Sequence, residues 1–328
     1  MKAFGFKLYN EDPGKAYFEF DAEKPSLLER DILVENLAVA LNPVDNLLRK
    51  AQQSERSEPR IVGFDSVGRV ADCGPGVEKF QEGDLVFFAG TRDRPGTYAE
   101  FTAVDERIAA LAPKKLPLEQ AAAMPLTSLT AYELIADKFG IDFEGDNGNK
   151  TTLIVNASGG VGSAAVQLCK LAGLRVIATA SDKNRSWVEG LGADKVLDHH
   201  CELSEQSNEE ADYIMVFTAL DPHWKSIVKL VKPFGHIGVI TSFTGDLNLL
   251  KPKAASFHWE YMFAKSMYNM KNMASQGAYL EQIAKWLDEG KLKATVSKVY
   301  DGFNLENLLK ANKLLLEGHV RGKLVLKR

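Results

Sequence analysis

Cysteine is scarce in this chain: three in 328 residues, at Cys73, Cys169 and Cys201. An odd and scattered set excludes a disulfide scaffold, and no Cys-x-x-Cys pair marks a structural zinc motif. Histidine is absent from the first 198 residues; all six lie at positions 199, 200, 223, 236, 258 and 319. No apolar run approaches the ~18 residues of a membrane span, and the start, MKAFGFKLYNEDPG, does not read as a signal peptide. A cytoplasmic location without a membrane partner is therefore expected. Neither sign of charge dominates: 40 Lys and Arg oppose 44 Asp and Glu, for a net charge of −4. Such a surface binds polyanions poorly, so no nucleic-acid partner is expected, although a local basic patch stays open.

What is present is an ordinary soluble composition, 45% hydrophobic and 26% charged, long enough for two domains at roughly 150 residues each. Two textures divide it. Up to about residue 123 the chain is strand-like and turn-rich, with short apolar runs at 31–41, 61–72, 83–89 and 97–104 between Gly, Pro and Asp turns. Evenly spaced short strands of this kind suggest a small barrel or sandwich. Residues 117–132 turn Ala-rich and helical. From 151 onward strands alternate with helices: runs at 151–157, 175–180, 196–198, 212–218 and 236–242 read as strands. Helical signals lie between them at 161–172, 183–191 and 222–232. That rhythm predicts an α/β doubly wound parallel sheet. Two amphipathic helices near 277–289 and 304–316 and a last strand at 323–326 close the chain.

The strand at 151–157 runs into Ala157-Ser158-Gly159-Gly160-Val161-Gly162 and then a helix. This is close to the dinucleotide fingerprint Gly-x-Gly-x-x-Gly, with Ala157 in its first place, and its strand–turn–helix context is the one the fingerprint needs. Gly159 lets backbone approach a pyrophosphate, and Gly162 lets the helix pack closely. The helix N-terminus offers unpaired N–H groups. The plainer reading is a packing turn. About 20 residues on, where a ribose-binding acid is expected, stand Thr179, Ala180 and Ser181, followed by Lys183 and Arg185. A hydroxyl and two cations suit a 2′-phosphate, so NADP is favoured over NAD, while Asp182 keeps the other reading open.

Six motifs then appear in order: LNPVD at 41–45, GDLVF at 83–87, AAAMPLTSLTAYE at 121–133, ASGGVG at 157–162, LGADKVLDHH at 191–200 and GKLVL at 322–326. Together they resemble the medium-chain dehydrogenase/reductase superfamily along nearly the whole chain. Within it the sequence is similar to the zinc-free quinone oxidoreductase branch, and KAASFHWEYMF at 253–263 is similar to bacterial zinc-type alcohol dehydrogenase-like proteins. The resemblance implies a GroES-like catalytic domain at 1–123 and 297–328, a Rossmann NADP-binding domain at 124–296, and a substrate cleft between them. It also implies a homodimer formed through Rossmann edge strands.

In zinc-dependent relatives a Cys and a Gly-His-Glu motif supply metal ligands. The matching positions here are Asn42 and Gly63-Phe64-Asp65, so no metal site is expected. Hydride addition to a simple ketone leaves a localised alkoxide that zinc would stabilise, whereas quinones and α,β-unsaturated carbonyls delocalise the charge and need only hydrogen-bond donors. The resemblance makes Asn42 a substrate or nicotinamide contact and Asp45 its orienting partner, with a turn residue and a helix N-cap as the plainer readings. Thr127 and Thr130 are cofactor candidates or helix caps. His199 falls where relatives place a residue beside the adenosine phosphate, or it is a surface-loop histidine. Phe217, Thr218, Gly238, Val239 and Ile240 are expected near the carboxyl ends of parallel strands, where ligands sit. Lys323 is expected at the cofactor or on a strand edge. The aromatic cluster at 257–263 reads as substrate pocket, subunit contact or core, and Tyr9 and Tyr261 are candidate proton donors beside water. The expected activity is NADPH-dependent reduction of quinones or enones by a metal-free oxidoreductase. A zinc alcohol dehydrogenase and a non-catalytic NADPH-binding sensor or structural protein are the rivals.

Overall fold

Strands β1 (Lys2–Gly5) and β2 (Phe18–Asp21) pair antiparallel at the start of the computed structural model, which describes residues 1–328. The chain then builds β3 (Asp31–Ala40), β4 (Asp65–Cys73), β5 (Leu85–Phe88), β6 (Phe101–Asp105) and β7 (Ala109–Leu111). β3 is nearly buried along its length because it has β4 on one side and β6 on the other over 31–35. Its one fully buried polar residue in the middle, Asn36, sits at a register shift. Its amide donates to Ala99 O and Thr102 Oγ1 and accepts from Ser66 Oγ, so its burial leaves little unsatisfied. The core under this sheet is Ile32, Val34, Val70, Phe80, Val86, Phe88, Val104, Ile108 and Met273.

A second sheet holds β8 (Thr151–Val155), β9 (Arg175–Ala180), β10 (Lys195–Asp198), β11 (Ala211–Val216), β12 (Val231–Val239) and β13 (Ser256–Trp259). Every pairing is parallel, in the order β10-β9-β8-β11-β12-β13. The chain therefore starts mid-sheet, winds out to β10, crosses back beside β8 and winds out to β13, as the alternation predicts. Its interior runs from Leu153 and Val155 through Ile214, Val216, Ile227 and Ile237 to Val239. The tail returns to the first sheet with β14 (Val296–Asp301) and β15 (Lys323–Lys327); β15 pairs antiparallel with β3 and parallel with β14.

The chain divides into one unit of Met1–Leu126 with Phe263–Arg328, antiparallel in character, and a parallel unit, Thr127–Met262. This differs from the expected boundaries at 123/124 and 296/297. The helix Ser275–Asp288 is the reason: it packs on β7 and on the short turn Glu106–Ile108. At Gly277 an added Cβ would lie 2.6 Å from Arg107 O, so helix and turn meet backbone to backbone. The polar loop at 142–150, which reads as a linker in the sequence, lies inside the parallel unit. The aromatic stretch at 257–259 is the edge strand β13, with Trp259 exposed and Met262 and Phe263 buried beyond it.

In the parallel unit, β8 ends at Val155 and the helix Gly160–Leu171 begins five residues later. A Cβ on Gly162 would lie 2.1 Å from Asn156 O and 2.6 Å from Ala157 Cα, both backbone atoms that cannot yield cheaply. Gly162→Ala is therefore expected to cost about 1–3 kcal/mol by overpacking. Gly190→Ala, where nothing lies within 4 Å, should change stability by less than about 0.5 kcal/mol. Urea unfolding of the two variants checks the contrast.

Candidate functional site

The sheet registers bring three distant segments together in the antiparallel unit. Ala40 lies opposite Asp65 on one side and Val325 on the other. Asn42, two residues past Ala40, thus meets Lys323, two residues before Val325. Lys323 Nζ donates to Asp65 Oδ2 at 2.8 Å, to Leu41 O at 2.8 Å and to Asn42 Oδ1. Asn42 Nδ2 donates to the same Asp65 Oδ2 at 2.8 Å, and the Leu126 N–H reaches Asp65 Oδ1 at 2.6 Å. Asn42, Asp65 and Lys323 are 1%, 0% and 3% exposed, so this is a buried ion pair with its hydrogen-bonding groups satisfied, the form in which such pairs are tolerated.

Asp45 stands next to it. Asn42 is the N-cap of the helix Pro43–Lys50 and Asp45 its third residue. The expected N-cap role of Asp45 is corrected: its Oδ2 instead accepts from the Asn42 N–H at 2.8 Å, one arm of a capping box. Tyr98 Oη donates to the same oxygen at 2.7 Å. Asp45 Oδ1 is buried without a partner. Burial pushes the Asp45 carboxyl up to about 7, against the lowering pull of Tyr98, the Asn42 N–H and Lys323. Burial, with the adjacent Asp45, holds the Tyr98 phenol well above its ordinary range, which keeps it a donor.

Lys323, expected at the cofactor or on a strand edge, is the first residue of β15 and makes three hydrogen bonds inside the network. Asn42, expected as a substrate or nicotinamide contact or a turn residue, donates its amide to Asp65 and, at 3.4 Å, to Ala40 O. Asp65 and Tyr98 were not among the expected site residues. Asp65 stood in the sequence only as the end of Gly63-Phe64-Asp65, and nothing local marks Tyr98. The donor set does not suit zinc: a carboxamide at 42, a phenyl ring at 64 packed 4.7 Å from the Phe263 ring, and an ammonium group already on the carboxylate of Asp65. Tyr9 lies beside Arg49, its ring centroid 5.5 Å from the guanidinium.

The parallel unit carries the other candidates. Gly159 caps the helix Gly160–Leu171, and the first-turn N–H groups of Gly160, Val161 and Gly162 have no intrahelical acceptors. Asn156, with φ of 67°, holds the turn from both sides. Its N–H donates to Thr179 Oγ1 of β9 and its Nδ2 to Phe217 O just past β11. The turn therefore sits where the strand order reverses, the place ligands take in such sheets. With Gly162 excluding any Cβ, this geometry fits a dinucleotide pyrophosphate. Asn156 was missed in the sequence; its only signal is an Asn ending a strand before a glycine turn. Ser158 Oγ accepts from Asn184 Nδ2 at 3.3 Å.

Around this turn the expected residues separate. Ser181 begins the helix Asp182–Gly190 without using its side chain as a cap, and Lys183 is exposed. Arg185 is turned back: it donates to Val196 O at 2.8 Å and faces Asp182 at 3.6 Å. Phe217 and Thr218 follow β11, and Ile240 follows β12. Gly238 and Val239 lie within β12 and are buried, and a Cβ on Gly238 would strike Leu134. Thr127 and Thr130 are buried in the helix Pro125–Glu133. Tyr261 is exposed. His199 follows β10, its ring 3.9 Å from that of His200.

Two family models match the chain. Residues 29–114 match the family Alcohol dehydrogenase GroES-like domain, and residues 191–326 match the family Zinc-binding dehydrogenase. A Zinc-type alcohol dehydrogenase-like protein of Staphylococcus epidermidis is 39% identical, over 99% of each chain. A 2-methylene-furan-3-one reductase of Solanum lycopersicum is 30% identical, over 99% of this chain and 79% of its own. The solved quinone oxidoreductase of Coxiella burnetii is 26% identical and covers 100% of this chain and 99% of its own, with a TM-score of 0.85.

The raised carboxyl of Asp45 has a signed consequence. Between its ordinary value of 3.8 and about 7 the folded protein holds a proton that the unfolded chain has released. Stability from this group therefore falls as pH rises through that window and is level above it. In Asp45→Asn the slope is removed, so the variant should gain stability relative to the parent from pH 4 to 7 and hold a constant difference above. Urea unfolding at stepped pH measures this.

Proposed function

Because the chain belongs to the medium-chain dehydrogenase/reductase superfamily of oxidoreductases, we propose that it uses NADPH to reduce quinones or α,β-unsaturated carbonyls, with no metal in the reaction. The observation that carries this reading is the buried contact of Lys323 with Asp65 and Asn42. Asn42 stands in the place of the relatives' Cys and Phe64 in the place of the His of their Gly-His-Glu motif; a lysine ammonium bonds Asn42 and Asp65, the residue after Phe64. A bound nicotinamide supplies the hydride. The protein's part is to hold the reactants and to tolerate the charge that develops on the acceptor oxygen.

An acceptor that spreads this charge over a ring or a conjugated system asks least of the site, and the fixed ammonium–carboxylate network offers no Lewis acid to a localised alkoxide. Asp45, by holding the Asn42 N–H, and Asp65, by holding its side chain, position that residue. The names of two similar proteins, a furanone reductase and a quinone oxidoreductase, support the same acceptor classes.

For the nucleotide, the glycine turn and helix N-terminus take the pyrophosphate, and Ser181 and Lys183 take a 2′-phosphate. Arg185 is left out of that role because Val196 O and Asp182 already hold it. One charge-assisted contact of this kind is worth about 1.5–3 kcal/mol, roughly ten- to a hundredfold in affinity.

The test is oxidation of NADPH and of NADH in parallel, with an ortho-quinone, an enone and a simple ketone as acceptors. Turnover of the first two acceptors with NADPH, little with NADH and little with the ketone is expected. Lys183→Ala should raise the KM for NADPH about tenfold or more and leave that for NADH unchanged. Preference for the ketone, or an equal effect of Lys183→Ala on both nucleotides, contradicts the reading.

A further inference from the structure

The carboxyl end of β10 carries a group of side chains that the proposed reaction does not use. Asp198, His199 and His200 follow one another out of the strand, and their ligand atoms all lie within 4.8 Å of one another. We propose that they form a binding site for a borderline divalent transition metal, Zn²⁺ or Ni²⁺, separate from the buried Lys323–Asp65 network.

The turn is built to hold these groups in place. Gln206, in the helix Leu203–Gln206, clamps both of its ends. Its Oε1 accepts from the Asp198 N–H at 2.8 Å, and its Nε2 donates to Asp198 O at 2.7 Å and to Cys201 O at 3.3 Å. The carboxylate is set by its own loop: Asp198 Oδ1 accepts from the His200 N–H at 3.0 Å. The two imidazoles face each other with centroids 3.9 Å apart and planes 38° from parallel.

The donor set selects the metal. Two imidazole nitrogens and one carboxylate suit Zn²⁺, Ni²⁺, Co²⁺ and Cu²⁺, and a set with so much nitrogen suits Mg²⁺ and Ca²⁺ poorly. Zinc–nitrogen bonds of about 2.0–2.1 Å require rotation of the two rings, one half-buried and one exposed, toward the carboxylate. Three protein ligands leave a fourth position open. Cys201 Sγ, 4.0 Å from Asp198 Oδ2 and exposed, is a candidate for it. An imidazole that ligates through one nitrogen keeps the other for a hydrogen bond.

The experiment is isothermal titration of the full chain, purified without a polyhistidine tag and stripped with chelator, against ZnCl₂, NiCl₂ and MgCl₂. One equivalent of Zn²⁺ or Ni²⁺ per chain with micromolar affinity is expected, and no heat beyond dilution with Mg²⁺. The double variant His199→Ala/His200→Ala should weaken Zn²⁺ at least tenfold. His258→Ala, which removes one half of the hydrogen-bonded pair His236–His258 in the same sheet, should leave it unchanged. As a second readout, Co²⁺ should give a visible d–d spectrum with the parent chain that the double variant lacks. Equal metal-free melting of parent and double variant shows that the turn still folds, and His200→Gln serves in its place if it does not. Absence of binding, undiminished binding in the double variant, or loss of binding in His258→Ala overturns the proposal.

Discussion

Lys323 enters the antiparallel unit at the first residue of its last strand and places its ammonium on Asp65, 258 residues earlier in the chain. Much of the local order hangs on that contact. Asp65 opens β4, Asn42 caps the helix after β3, and Leu126 lies at the head of the helix at 125–133; each has a group on Asp65 or Lys323. Removing either charge would leave the other buried and unpaired, which typically costs about 3–5 kcal/mol. The return of the tail to the N-terminal sheet is thus enforced electrostatically as well as by the pairing of β15 with β3.

The same contact shapes the chemistry proposed for the chain. The family matched by the C-terminal half is named for zinc binding, yet the positions that would hold the metal carry an amide, a phenyl ring and a salt-bridged carboxylate. Charge is still fixed there, but it is neutralised within the protein and buried. On the proposed reading this moves the work of charge stabilisation from the protein to the acceptor, so the acceptor must delocalise charge itself. Asp45 fits the same economy of charge: burial favours its protonated form near neutrality, and Tyr98 and the Asn42 N–H keep it in place.

The parallel unit was legible in the sequence because its order is local. Each strand is followed by its own helix, and the glycine turn between β8 and the next helix reads directly from 157–162. Positions such as Gly238 are ambiguous in sequence because a glycine in a strand serves packing as readily as ligand approach; the structure adds Leu134 packed against it. The edge strand β13 hid inside an aromatic run whose pairing partner, β12, alone makes it a strand. In the antiparallel unit the short strands were visible, but not β1, β2 or β14, whose partners are distant or whose pattern is weak. The Lys323–Asp65 pair was illegible for the same reason: no local pattern links residues 65 and 323, and only the registers of β4 and β15 against β3 bring them together.

The central claim is that this organic ion pair, and no metal, serves the site. It is tested most directly by measuring the rate of NADPH oxidation by an ortho-quinone before and after complete removal of metal, with the metal content determined on the same samples. The account predicts the same rate in both samples, and no gain when zinc is returned. A rate that collapses on stripping and recovers with zinc would contradict it.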